Sequence, residues 1–456
     1  MQRFGMKIVK RLRILLFAGA LIPFQAEAQQ TPPPAEALTL DQCIAYALKN
    51  KPSVQQAYLD EQITEREIKA ALADWFPQLG VAANLQHYLK MPVTIFPNEA
   101  GVLVPRQIGT VNSSNLSLVA DQVIFNNDVF FASRGSRYVR LQSKQNTYNE
   151  KIDIVVNVSR AFYDVLLSQE QLKILDQDII RQEKQLKDAR AQYEQGLVDK
   201  TDWQRADISL TNVRSTRKRT LEAIRPKYVF LKELIGYPAE KELQIAFNPV
   251  EMQHHMLADT LQPVSYANRI EFQQLQTQKQ IQELSVNYYK WSFMPSFSAY
   301  YSYNIVYQNN DFQQLYKQSY PNSPIGLRMS VPLFTGTRRL QNLRRAQLLD
   351  KRLDLDIANI KNRINTEYEA AMATYRSDLY ELKTVQHNVQ VAEDVYRIIK
   401  LQYDEGIKPY LDLILAEAEI RATQLNYYNA LYRVLTSKLE VERVTGTINV
   451  AAYESK

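Results

Sequence analysis

Two stretches decide how this chain folds: "QYEQGLVDKTDWQRA" at Gln192–Ala206 and "QYDEGIKPYLDLILA" at Gln402–Ala416. They lie about 210 residues apart, a spacing characteristic of an internal repeat. Each interrupts a long amphipathic pattern at Gly196 or Gly406, in a chain with only 12 glycines among 456 residues. Glycine adopts the left-handed conformation that ends helices, so each stretch is a turn between two helices. Asp199, Thr201 or Asp202 then has the chemistry to cap the helix after the first turn.

Upstream of the first turn, Val155, Val158, Phe162, Val165, Leu172, Ile179, Leu186, Ala189 and Tyr193 follow a 3-4 spacing. Gln169 and Gln182 fill polar seam positions. A sustained seven-residue repeat predicts a supercoiling helix over about 127–195, roughly 105 Å long at 1.5 Å per residue. Downstream, Trp203, Ala206, Leu210, Val213, Ile224 and Leu231 continue the seam, so the two helices form an antiparallel hairpin. The second half repeats the pattern with Tyr368, Met372, Tyr375, Leu382, Val389, Tyr396, Ile399 and Tyr403, then Leu413, Ala416, Ile420, Val434 and Val441. Gly236 in "LIGYP" corresponds to Gly446 in "VTGT".

Each long helix follows a pair of segments with period two, which is the period of a strand with one apolar face. The first pair has Leu79, Val81, Ala83 and Leu85, then Leu116, Leu118 and Ala120, separated by a loop over about 90–112. The second pair has Phe297, Ala299, Tyr301, Tyr303 and Ile305, then Ile325, Leu327, Met329, Val331 and Leu333. Before the first pair, Thr39 or Asp41 caps a short helix ending near Asn50-Lys51-Pro52, and a second helix stops at Pro77.

The organisation expected is a signal peptide (1–28), a flexible proline-rich lead (29–38), a first repeat (39–236), an equatorial linker (237–262), a second repeat (263–446) and a tail (447–456). Arg3, Lys7, Lys10, Arg11 and Arg13 precede the apolar "ILLFAGALIPF", and "AEA" ends at Ala28, the layout of a cleaved export signal. Cleavage lowers the formal charge from +6 to about +2, which argues against nucleic acid as a partner. Cys43, the one cysteine, belongs to an apolar helix face and leaves no disulfide or thiolate metal site. His254 and His255 read as surface residues of the linker; His87 and His387 have no nucleophile beside them. No cluster has catalytic spacing, so no enzyme, metal or cofactor is implied.

No apolar run after the leader is long enough to be a membrane helix, so any span must be made of strands. Four strands do not close a barrel, and open edges are not tolerated in lipid. A homotrimer supplies 12 strands, about the size of a water-filled barrel, with Tyr88, Tyr301, Tyr303 and Tyr307 suited to its lipid face and aromatic girdle. The helices are too polar for lipid and must project into an aqueous compartment. The expected fold class is therefore mixed α and transmembrane β: a trimeric 12-stranded barrel continued by a coiled-coil helical barrel, internally duplicated.

With "LTLDQCIAYALKNKPSV" (38–54), the Pro-ended helices before each first strand, the duplicated order and the two glycine tips, the chain resembles the TolC-type outer-membrane efflux factors. The resemblance spans about 38–447. It implies an outer-membrane channel with its helices in the periplasm, conducting passively and joined by a periplasmic adaptor to an inner-membrane pump. It further implies that Asp202 and Asp412 are acidic pore positions, and that Tyr403 and Lys408 tie neighbouring helices shut. A Lys408–Asp202 or Tyr403–Asp202 bond across chains is the expected latch. Leu415 departs from the family pattern, falling where some members carry a second acid, and so does Pro409. The alternatives are an outer-membrane component of type I protein secretion and a non-transport trimeric coiled-coil surface protein.

Overall fold

The computed structural model describes residues 37–97, 99, 101–196, 198–246 and 264–454. The export leader, nearly all of the lead, residues 247–262 of the expected linker, His254 and His255 lie outside the described residues. From Leu38 onward the chain is one compact unit.

Leu38 forms a parallel bridge with Ile245, and helix α1 (Leu40–Asn50) follows. Thr39 caps it through a reciprocal box: the Thr39 N–H donates to Gln42 Oε1 at 2.8 Å, while the Gln42 N–H donates to the Thr39 hydroxyl. The helix buries Cys43, Ile44, Ala47 and Leu48, and burial pushes the Cys43 thiol up to about 12. Pro52 then opens α2 (Pro52–Ala73) at the position where its missing N–H has no helical partner to lose.

Strands β1 (Gln78–His87), β2 (Val93–Pro97), β3 (Leu103–Gln107) and β4 (Asn112–Phe125) come next. The segment expected to be a plain loop over 90–112 therefore carries a small antiparallel hairpin, with Ile95 opposite Pro105. Helices α3 (Asn127–Glu194) and α4 (Lys200–Ile235) close the first half. The second half runs through α5 (Ile270–Trp291), β5 (Ser296–Asn309), β6 (Ser319–Asn322), β7 (Ile325–Ser330), α6 (Arg338–Asp404), α7 (Tyr410–Thr445) and the short α8 (Ala451–Glu454). The order helix, strands, long helix, hairpin helix thus occurs twice. The long helices have 68 and 67 residues and the hairpin helices 36 each.

The main sheet is antiparallel, in the order β1-β4-β5, with β5 continuing onto both β6 and β7. Beyond the four strands expected, β6 pairs with the outer part of β5, from Asn304 to Tyr307. The final strand also ends at Ser330, ahead of Pro332, rather than reaching Leu333. Proline explains both differences. Pro324 has no N–H to give a ladder, so it divides β6 from β7, while its carbonyl still accepts from Ser302 N at 3.0 Å.

The register puts Val81 opposite Leu118, Leu118 opposite Tyr303, and Tyr301 opposite Ile325. Period two therefore gathers the apolar residues on one face, with Ser117, Asp121, Ser298, Ser302 and Arg328 on the other. That apolar face is bare: Leu79 is 73 % exposed, and Ile325 and Leu327 are 79 % exposed.

The core lies midway along the long helices, where α1 and the ends of α4 and α7 far from the tips pack against them. Val158, Val165, Leu231 and Val434 are fully buried there, each contributing about 1.5–3 kcal/mol. In α3 the start of the seam is as expected, with Val155, Val158, Phe162 and Val165 buried. Further along, the buried line moves to Ser168, Leu175 and Asp178, leaving Leu172, Ile179 and Leu186 half-buried, while the expected seam positions Gln182 and Ala189 are buried. Gln169 instead reaches sideways to the Tyr228 hydroxyl.

Candidate functional site: the paired helix tips

At the first tip α3 ends at Glu194, and Gly196 takes φ +72° with its N–H on Tyr193 O at 2.9 Å. Asp199 occupies the cap position of α4, and its carbonyl receives the Asp202 N–H at 3.1 Å. Of the three capping candidates only Asp199 stands at the cap, and it holds the helix without a side-chain bond. At the second tip Gly406 has φ +74°, and the N–H groups of Ile407 and Lys408 both close on Gln402 O. Pro409 leads into α7 in extended backbone, φ −71° and ψ 156°, a conformation its ring favours. A β-carbon on Gly196 or Gly406 would meet nothing within 4 Å, so backbone conformation alone demands glycine at both turns.

The two tips share a small core. Ala189, Ala206, Tyr410 and Leu413 are buried together, with Trp203, Tyr396, Ile399 and Tyr403 packed around them. The Tyr403 and Tyr410 rings lie 5.7 Å apart. The Tyr403 hydroxyl donates to Gln192 Oε1 at 3.3 Å, which ties the end of α6 to the end of α3. Burial, then the charges of Asp202 and Asp188, push the Tyr403 phenol up, so it remains a neutral donor. Lys408 pairs with Asp412 of its own chain at 3.0 Å, one turn along the helix. The four residues expected at the pore thus fall into two groups: Asp202 acts electrostatically on Tyr403, and Lys408 is paired with Asp412.

Behind the tips lies a buried polar cluster that includes groups the seam pattern does not reveal. Asp178 on α3 is completely buried between Arg421, at 2.6 Å, and Arg181, at 3.1 Å. Glu417 on α7 is also completely buried and accepts from Gln182 Nε2 at 2.7 Å and from Gln185 Nε2. Burial pushes the Glu417 carboxyl up to about 7. Gln182 was visible as a polar residue in an apolar seam, a signal that a polar partner stands opposite. Glu417 had no such signal, since it follows the seam residue Ala416 directly.

An exposed apolar strand face joined to long polar helices, with no helix among the described residues long and apolar enough to cross a membrane, defines a class. It is the class of helical conduits anchored in a membrane by β-strands. The chain belongs to the outer membrane efflux protein family, whose model matches residues 43–236 and 265–447. It is accordingly an outer-membrane channel protein whose helical part lies in the periplasm. It is 23 % identical over 357 residues to the alkaline protease secretion protein AprF of Pseudomonas aeruginosa, covering 75 % of this chain and 71 % of that one. Its fold matches the channel-forming protein CusC with a TM-score of 0.72 at 16 % identity, covering 89 % and 91 % of the two chains. The outer membrane protein VceC of Vibrio cholerae matches at 0.68 and 17 % identity, covering 89 % and 96 %.

Proposed function

We propose that three copies of this chain close a 12-stranded barrel continued by a twelve-helix tunnel, the passive exit duct of a tripartite efflux system. A periplasmic adaptor joins it to an inner-membrane pump, which supplies the energy. The observation that carries this reading is the sheet itself. Its apolar face is exposed along β1, β4, β5 and β7, while β1 pairs only with β4 among the described residues. Such an edge is stable in lipid only when another chain completes it. The two-fold order of elements supports an internal duplication, so that three chains give six similar helical hairpins around the bore. Asp202, Tyr403, Lys408 and Asp412 form the periplasmic gate at the hairpin ends, with Gly196 and Gly406 as its turns.

Electron microscopy of the detergent-solubilised protein is expected to show a hollow, tapered, threefold particle that conducts ions in planar bilayers. A solid stalk without conductance would instead favour a coiled-coil surface protein. A second reading, the outer-membrane component of type I protein secretion, is favoured by the similarity to a protease secretion protein. Identifying the inner-membrane protein that co-purifies after cross-linking separates the two: a drug or metal pump supports efflux, and a peptidase-type exporter supports secretion.

A further inference from the structure

The α3–α7 seam carries two buried carboxyl groups with unlike neighbours. Asp178 lies between two guanidinium groups. Glu417, about 10 Å along α7 from its first residue, has no cation within ion-pair distance among the described residues. Its partners are two amides and a phenol: Gln182 and Gln185 of α3, and the Tyr396 hydroxyl of α6, whose ionisation Glu417 opposes.

The other ends of those amides are the unusual feature. Gln182 Oε1 and Gln185 Oε1 are both buried, and neither has a hydrogen-bond partner. A carboxylate accepts only, so while Glu417 is ionised the two N–H groups point at it and both oxygens are stranded. A neutral carboxyl has one O–H to donate. Turning one amide over presents its oxygen to that O–H but withdraws its N–H, so the exchange is neutral in itself. What favours the protonated form is that the carboxyl is completely buried on the seam with no cation paired to it. The pocket therefore suits the protonated acid better than the carboxylate.

We propose that Glu417 is a proton-operated latch on the α3–α7 seam behind the tips: neutral, it holds the second hairpin against the first, and ionised, it loosens that contact. The latch rests on the channel reading only for its consequence, a tip assembly that is tighter in acid than in base. The charged and titratable groups around it are Asp178 and Arg181 on α3, Tyr396 on α6, and Tyr410 and Arg421 on α7. From α4, Asp202 acts on Tyr410 and Tyr403.

The direction follows from linkage. The Glu417 carboxyl is raised from 4.5 to about 7 in the closed seam. Closing therefore takes up a proton between those values. The seam is tightest at acid pH and weakens as pH rises through 7, the reverse of an acid held by a cation. Between pH 5.5 and pH 8 the opening equilibrium should rise on the order of tenfold or more.

Hydrogen exchange of the full-length protein in detergent, corrected for intrinsic pH effects, reads this directly in peptides covering 178–190 and 410–421. The expected result is a tenfold or greater loss of protection in both segments at pH 8. In Glu417→Gln, which keeps shape but does not ionise, that loss should vanish. Infrared titration of the wild-type protein provides a test that needs no variant: a buried protonated carboxyl should disappear near pH 7. Equal pH responses in wild type and Glu417→Gln, or no carboxyl titrating near neutrality, would overturn the latch. Bilayer recordings of the same preparation test the duct separately, since a protein that never conducts refutes the channel reading and leaves the exchange result standing.

Discussion

Tyr403 joins two helices through a single hydroxyl, and the bond it makes is modest. A neutral hydrogen bond of 3.3 Å to Gln192 is worth about 0.5–1.5 kcal/mol, weak enough for the proposed gate to break it. Tyr403→Phe removes the bond and keeps the ring against Tyr410, so it should leave the fold intact and raise single-channel conductance in planar bilayers. Asp202→Ala should do the same. Unchanged conductance in both would remove these residues from the gate. Asp178 is the opposite kind of group, a buried charge held by two arginines. Asp178→Asn strands those guanidinium groups and should cost about 3–5 kcal/mol, seen as a lower melting temperature. Only part of this site was legible in the sequence. Gln182 stood out because an amide interrupts an apolar line, and Tyr403 because its neighbourhood repeats. Asp178 and Glu417 did not, because each sits next to an apolar seam residue, Ile179 and Ala416, and only the helix packing decides which neighbour turns inward.

At the scale of elements, the boundaries that could be placed from sequence are those where covalent chemistry acts locally. Thr39 and Gln42 close a capping box, Pro52 opens a helix, and the four turn or cap glycines all have positive φ. The β2–β3 hairpin was missed because its strands have five residues each and carry Pro97 and Pro105, which read as loop. The shift of the α3 seam from Leu172 and Ile179 toward Leu175 and Asp178 has a geometric cause. A straight helix at 3.6 residues per turn drifts about 20° per heptad, and α3 also packs against α4 on one side and α7 on another. The glycines make a testable contrast. At Gly446 an added β-carbon would lie 2.5 Å from the Asn268 carbonyl oxygen, and at Gly236 it would lie 3.0 Å from that of Asn50. Gly406 has the same backbone conformation in open space. Gly406→Ala should therefore cost only the left-handed strain, about 1–2 kcal/mol. Gly446→Ala adds a backbone clash and should lower the melting temperature several degrees further. Equal losses would mean that the Asn268 contact is relieved without cost.

For the whole molecule the question is which face of the sheet meets lipid, and the register makes it answerable one residue at a time. Leu327 stands opposite Ala299 on the apolar face, and Arg328 opposite Ser298 on the polar one. Arg328 also lies over the Tyr300 ring at 5.1 Å, with Asp121 at 3.9 Å on the next strand but one. Adjacent residues in β7 thus have opposite surroundings, as period two requires. If the apolar face meets the bilayer, Leu327→Arg places a charge in hydrocarbon. Near the midplane that costs about 2–4 kcal/mol per chain, and a trimer bears it three times. Assembly in membranes should then fall sharply, measured as heat-resistant oligomer on electrophoresis of outer-membrane fractions. Arg328→Ala, one residue away, loses a half-exposed contact on the polar face and should assemble normally while changing ion selectivity in bilayers. Normal assembly of Leu327→Arg together with failure of Arg328→Ala would invert the sheet, placing the tyrosine-rich face inside and removing the physical basis for the barrel.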